Sequence, residues 1–274
     1  MLNLIKTEIK RNFTGRWFWL SVIISGALVI WYSIDRIPFC VKSNLMILEN
    51  SYPDDFLEIS FTNWIGSHNI YLQQNIFYLI LPFLATIPFG KSFYEDLNQG
   101  LIKNICIRTP KKNYLISKYI VVFLSGGCAV VIPMIFSFMI SSAFLPTMLP
   151  EVSYVYTNIF PIYKWSNIFF ENPFVYTILY GITVFIFSGF FACMSLPITY
   201  FSSKSFLPIL FPFIIYIVSS MFFELIDMPG FSLRQILTTT GEQGTTMTVV
   251  LLAISLGVFS FIPFYFIGVN NDVL

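Results

Sequence analysis

The chain has 274 residues, of which 11% are charged and 19% aromatic, with 15 Lys and Arg against 14 Asp and Glu for a formal net charge of +1. A soluble domain carries about 25% charged residues, so a chain that is 56% hydrophobic, with a mean hydropathy of +0.76, lacks the polar surface to cover itself in water. Nucleic-acid binding is excluded too, since no clustered basic face stands out; the chain reads as an all-α, polytopic membrane protein.

The first element is residues 1–16. Leu2, Ile5, Ile9 and Phe13 recur at spacings of three and four and line one helical face, with Lys6, Lys10 and Arg11 on or beside the other. This pattern predicts an amphipathic helix lying in the membrane surface. A signal-peptide n-region is the alternative, but no small-x-small cleavage site follows and the next apolar stretch is long for a signal.

A spanning helix needs about 20 largely apolar residues. Six spans are predicted, at about 17–36, 71–90, 119–145, 174–201, 206–224 and 247–269, within a single transmembrane domain covering 1–274. The first is free of charge from 17 to 34, with Trp17 and Trp19 at one end and Trp31 and Tyr32 at the other, as headgroup-level belts require. Residues 119–145 and 174–201 hold no charged residue. With the N-terminus inside, 11 of the 15 basic residues fall on the cytoplasmic side and only Arg36, Lys42, Lys164 and Arg234 outside. The positive-inside rule then puts both termini in the cytoplasm. The connections at 37–70 and 146–173 are too short for independent domains and read as external loops. Cys40, Cys106, Cys128 and Cys193 form no CxxC pair, and His68 is the single histidine, so neither a metal site nor a disulfide is expected.

The longest polar run between apolar segments is FYEDLNQGLIKNICIRTPKKNYLISK, residues 93–118. Leu97, Leu101, Ile102 and Ile105 keep helical spacing, so an amphipathic helix is predicted after Glu95 and Asp96, acids that suit the positive end of its dipole. Thr109-Pro110 ends it, because the residue before proline is pushed from the helical region. Lys111 then starts a helix that runs through Lys118 into the third span. Physics alone leaves two readings open: a rigid lever for force from a cytoplasmic partner, or an amphipathic loop resting on the headgroups.

The run Glu95-x4-Gly100, then Thr109-Pro110-Lys111-Lys112-x-Tyr114-x3-Lys118, resembles the coupling region of type-2 ATP-binding-cassette export permeases. Leu101 departs from it, standing where that family often has Thr. The N-terminal amphipathic helix, six spans and cytoplasmic termini are similar as well. The resemblance implies a bacterial plasma-membrane permease with a cytoplasmic coupling helix between helices 2 and 3. It implies a second permease subunit, the same or different, and two separate ATPase chains that hold the ATP and Mg. No cofactor is expected on this chain, which has no GxxxxGK[ST] loop, and the chain itself is not expected to be an enzyme. Glu95, Asp96, Gly100, Lys103, Arg108, Pro110, Lys111 and Lys112 are the residues expected to couple to the ATPase. The resemblance also implies short re-entrant helices within 224–246, where Pro229 and Gly230 fit a turn between two half-helices; an external loop with one amphipathic turn fits nearly as well.

Polar groups available for a path through the membrane are few: Gln73, Gln74 and Asn75 at the start of the second span, and Ser219 and Ser220 in the fifth. A route so poor in charge desolvates a charged solute at high cost. The expected cargo is therefore apolar or amphipathic, a hydrophobic or antimicrobial peptide ahead of a lipid or drug. An ion-coupled carrier is the competing class, but it places ionisable groups inside its spans, and here only Glu224 and Asp227 come close. A zinc-dependent intramembrane protease needs HExxH, which one histidine cannot supply.

Overall fold

A computed structural model of the chain describes residues 2–50, 57–67, 71–89, 92–107, 109–150, 164–202, 204–239 and 245–270. They form helices and turns with no strand. In chain order the helices are α1 (Leu2–Phe13), α2 (Arg16–Asn50), α3 (Leu72–Thr86), α4 (Ser92–Asn98), α5 (Leu101–Cys106) and α6 (Lys111–Phe144). There follow α7 (Ser166–Glu171), α8 (Pro173–Ile198), α9 (Leu207–Leu225), α10 (Leu233–Leu237) and α11 (Thr246–Asn270).

Five of these, α2, α6, α8, α9 and α11, are long and apolar enough to cross a membrane. The protein is a multi-pass helical membrane protein. The expected span at 71–90 is not among these five: α3 has only 15 residues and is about 22 Å long, short of a hydrocarbon core of about 30 Å, though the chain still runs along it from one end of the bundle to the other. The helix stops at Thr86 although Ile87 keeps helical backbone, because Pro88, the next residue, has no N–H with which to continue the ladder. α3 is instead the buried axis of the bundle, with Phe77, Tyr78, Leu81 and Leu84 fully enclosed.

The first span also differs from its predicted bounds. Asp35 and Arg36 read as its end, yet α2 continues to Asn50, about 52 Å at 1.5 Å per residue. The charge is tolerated because Arg36 is held by Glu58 at 3.0 Å and Asn63 at 2.9 Å. Its guanidinium also lies over the rings of Phe39 and Tyr71.

The bundle has two ends. The near end holds α1, α4, α5, the start of α6 and the last turns of α8 and α11. The far end holds the last turns of α2 and α6, residues 57–67, the starts of α3 and α8, and α10. Between them α6 and α8 pack at close range: Phe185 lies against Gly127 and Phe123 against Gly189, so each aromatic ring fills the place of a missing Cβ on the facing helix. Small residues at such crossings let backbones approach within a membrane. The outward row on α11, including Leu251, Ile254, Val258 and Ile262, is apolar and exposed, as a lipid-facing surface should be.

Candidate functional site

At the near end four charged side chains from three elements meet, with Lys118, Asp96 and Glu8 buried and Arg11 part-exposed at the edge. Lys118 of α6, fully buried, donates from Nζ to Asp96 Oδ2 at 2.5 Å and to Glu8 Oε2 at 3.2 Å. Arg11 of α1 makes a bidentate pair with Asp96 of α4, at 2.9 and 3.0 Å, and lies 3.5 Å from Glu8 one turn back. Tyr114 OH donates to Asp96 Oδ2 at 2.9 Å. The ammonium of Lys118 also sits 4.2 Å from the centre of the Phe89 ring. Two cations and two carboxylates neutralise one another, the condition under which buried charge is tolerated. Burial alone would raise the Asp96 carboxyl; the charge of Lys118 and the hydrogen bonds from Arg11 and Lys118 outweigh it and hold the group below its ordinary value.

The local sequence explains the geometry. α1 turns Ile5, Glu8, Ile9 and Asn12 inward along α6, so the helix predicted to lie on the membrane surface is packed against protein with an acid in its contact face. It ends in a turn at Gly15, where an added Cβ would lie 2.9 Å from Asn12 O. The helix predicted after Glu95 is two short ones. Gly100 separates α4 from α5 with φ +66°, left-handed backbone that suits glycine. No atom lies within 4 Å of where its Cβ would be, so the need is conformational and close approach plays no part.

Of the residues expected to couple, Asp96 is buried in the charge cluster, whereas Glu95, its neighbour, is exposed and makes no ion pair among the described residues. The acid that pairs is Asp96, with Arg11 of α1 and Lys118 of α6. Pro110 opens α6, its carbonyl accepting from Asn113 and Tyr114. Lys111 Nζ donates to Val269 O at 3.3 Å, a cation on the last turn of α11 where its dipole is negative. Lys112 is exposed. Arg108 and the side chain of Lys103 lie outside the described residues. A cavity of about 300 Å³ beside the cluster is lined by Arg11, Asn12, Trp17, Glu95, Asp96 and Gln99, among others.

The far end departs most from expectation. Residues 57–67 were read as external loop, but 59–67 are all buried, without regular helix, against α2, α3 and α6. Their backbone is satisfied by side chains: Ser137 Oγ accepts from Ile65 N, Ser141 Oγ donates to Asn63 O, Gln74 Nε2 to Trp64 O and Tyr78 OH to Gly66 O. Asn44 clamps Glu58 through both its main-chain groups. Irregular backbone in a membrane protein persists only with such partners. His68 lies outside the described residues.

Gln73, Gln74 and Asn75 are therefore engaged in holding structure: Gln73 bonds Asp35, Gln74 carries the 57–67 segment, and Asn75 accepts from Arg234 at 3.1 Å. Ser219 bonds Tyr216 O within its own helix. Ser220 is buried, and its hydroxyl has no partner among the described residues. Pro229 and Gly230 share a single 3-10 turn, after which α10 buries Leu233, Ile236 and Leu237 in the core.

Lys164, also at the far end, is buried with Nζ on Ile236 O at 2.7 Å and over the rings of Trp165 and Tyr180. Burial lowers it from the ordinary 10.5 to about 8. Between those two values the unfolded chain holds a proton that the folded one has lost, so stability rises with pH across this window. Thermal unfolding in detergent from pH 7 to 10.5 should show that rise, and Lys164→Met should flatten it; an equal rise in the variant would place its source elsewhere.

Sequence reasoning missed Glu8 and Arg11 as partners of the loop and the buried role of residues 57–67. A signal existed for the first: Lys118 heads a long uncharged run, and a cation entering apolar surroundings demands a carboxylate. No family model, no curated protein and no solved structure matches this chain.

Proposed function

We propose that this chain is the membrane-spanning permease subunit of an ATP-driven exporter, working as a dimer of permeases with two separate ATPase chains on its cytoplasmic face. The single observation that supports the reading most is the charge cluster. It ties α4 rigidly to α1 and α6 through Asp96, while Glu95, Leu101 and Ile107 stay exposed for a partner. A push on that exposed face would be delivered to α6, a helix that crosses the whole bundle. In this reading both termini are cytoplasmic, the host membrane is a bacterial plasma membrane, and the cargo is apolar or amphipathic, with a hydrophobic peptide favoured over a lipid or drug.

Co-purification with a candidate ATPase tests the contact. Deleting 95–110 should abolish recruitment; an ATPase that still binds would overturn the reading. Glu95→Ala, which removes an exposed carboxylate, and Gly100→Val, which puts a branched residue at positive φ, should each reduce transport while leaving membrane insertion intact. Wild-type transport in both would return 92–107 to the role of a surface-resting loop.

A further inference from the structure

We propose that a groove between α6 and α8, in the far half of the bundle, binds one long acyl chain of a bilayer lipid, with Trp64 and Met134 in its inner wall. The groove has a volume of about 360 Å³. Trp64 and Met134 are buried, at 3% and 1% exposure, whereas Ile135, Ile178 and Ile182 on its rim are about half exposed. It runs from the protein interior to the outer surface of two membrane-crossing helices, which meets hydrocarbon.

Its wall offers nothing to water. The two polar groups that line it are already engaged: Thr177 Oγ1 donates to Pro173 O at 2.9 Å, and Trp64 Nε1 to Phe61 O at 3.1 Å. Apolar cavities of this kind stay dry and take apolar guests. The Trp64 ring is held edge-on against Phe138 at 5.8 Å and is kept in place by Gly66, where a Cβ would come within 2.3 Å of the indole. Gly181 is part of the lining, and nothing lies within 4 Å of where its Cβ would be. That missing side chain leaves room for a guest.

The same wall selects the guest. A peptide segment would bring backbone amides into a place with no free donor or acceptor, which hydrocarbon surroundings penalise by several kcal/mol per group. A methylene chain brings none, and the bilayer supplies it through the open side of the groove. The proposal rests on the apolar helices and this geometry, and is independent of what the protein transports.

The test uses the full-length wild-type chain in vesicles of phosphatidylcholine carrying a diazirine at mid-chain, with photo-adducts mapped by mass spectrometry. Adducts are expected on Trp64 and Met134, which lipid merely surrounding the protein cannot reach, as well as on exposed residues. Gly181→Leu fills the vacant position, so adducts on Trp64 and Met134 should fall to background while those on Ile254 and Ile262 of α11 persist and report an intact fold. Labelling confined to exposed residues in the wild type would overturn the proposal. So would Trp64 and Met134 labelling unchanged by Gly181→Leu, or Ile178→Cys giving a disulfide between two copies, which would mean that another chain covers the groove.

Discussion

Lys118→Met should lower the stability of the folded protein by about 3–5 kcal/mol, the cost of removing one partner from a buried ion pair. Met keeps the apolar volume of the lysine stem, so the loss is electrostatic: Asp96 and Glu8 remain buried and share only Arg11. The informative comparison is with Lys118→Met combined with Asp96→Leu. That pair removes one charge of each sign and leaves Glu8 and Arg11 facing each other across one turn of α1. Replacing a whole buried pair by apolar side chains is often neutral, so the double variant should recover most of the stability, a large deviation from additivity. Detergent melts of the single and double variants measure it. If the two losses simply add, the cluster does not act as a unit. Under the proposed function the double variant should fold yet transport poorly, because α4 would no longer be fastened to α6.

Gly126→Val is expected to disrupt the centre of the bundle. A Cβ at Gly126 would lie 2.4 Å from Ala192 Cβ, 3.0 Å from Ala85 O and 3.1 Å from Ser188 O. Two of these are main-chain atoms of α3 and α8, which cannot swing aside as a flexible side chain can. Overpacking a dense core costs about 1–3 kcal/mol and occasionally more, and three helices forced apart at one point should fall at or above the top of that range. Gly26, on α2, has nothing within 4 Å of its Cβ position, so Gly26→Val should melt like the wild type. Equal melting of Gly126→Val and wild type would show that α3, α6 and α8 do not meet as closely as described.

Much of the architecture was legible because its causes are local or compositional. The uncharged runs at 119–145 and 174–201 lie within α6 and α8, except for the last residue of the first and the last three of the second, because apolar length alone makes a helix in a membrane. Thr109-Pro110 marks the break before α6, since proline acts on its immediate neighbour. The segment 71–90 is a shorter helix than its hydropathy predicts, and for a different reason. Hydropathy records that a segment avoids water, and a segment buried in protein avoids it as well as one facing lipid. α3 is the first kind, and its surroundings come from α2, α6, α8 and α9.

The candidate site was half legible. Glu95 and Asp96 stand side by side in the sequence with the same chemistry, and periodicity could not say which turned inward; α4 aims Asp96 at Arg11 and Lys118 and leaves Glu95 outside. Residues 57–67 mix Ile59, Phe61, Trp64 and Ile65 with polar residues in a run too short to read as a span, and composition cannot reveal that Ser137, Ser141, Gln74 and Tyr78 hold their backbone inside the bundle. By itself, then, the sequence determined that this is a multi-pass helical membrane protein and where most of its long helices run, because those follow from apolar length and from neighbours one turn away. Only the tertiary structure decided which charges pair, that α3 is buried, and that 57–67 packs inward, because a partner 85 residues distant, as Arg11 is from Asp96, leaves no mark on local pattern.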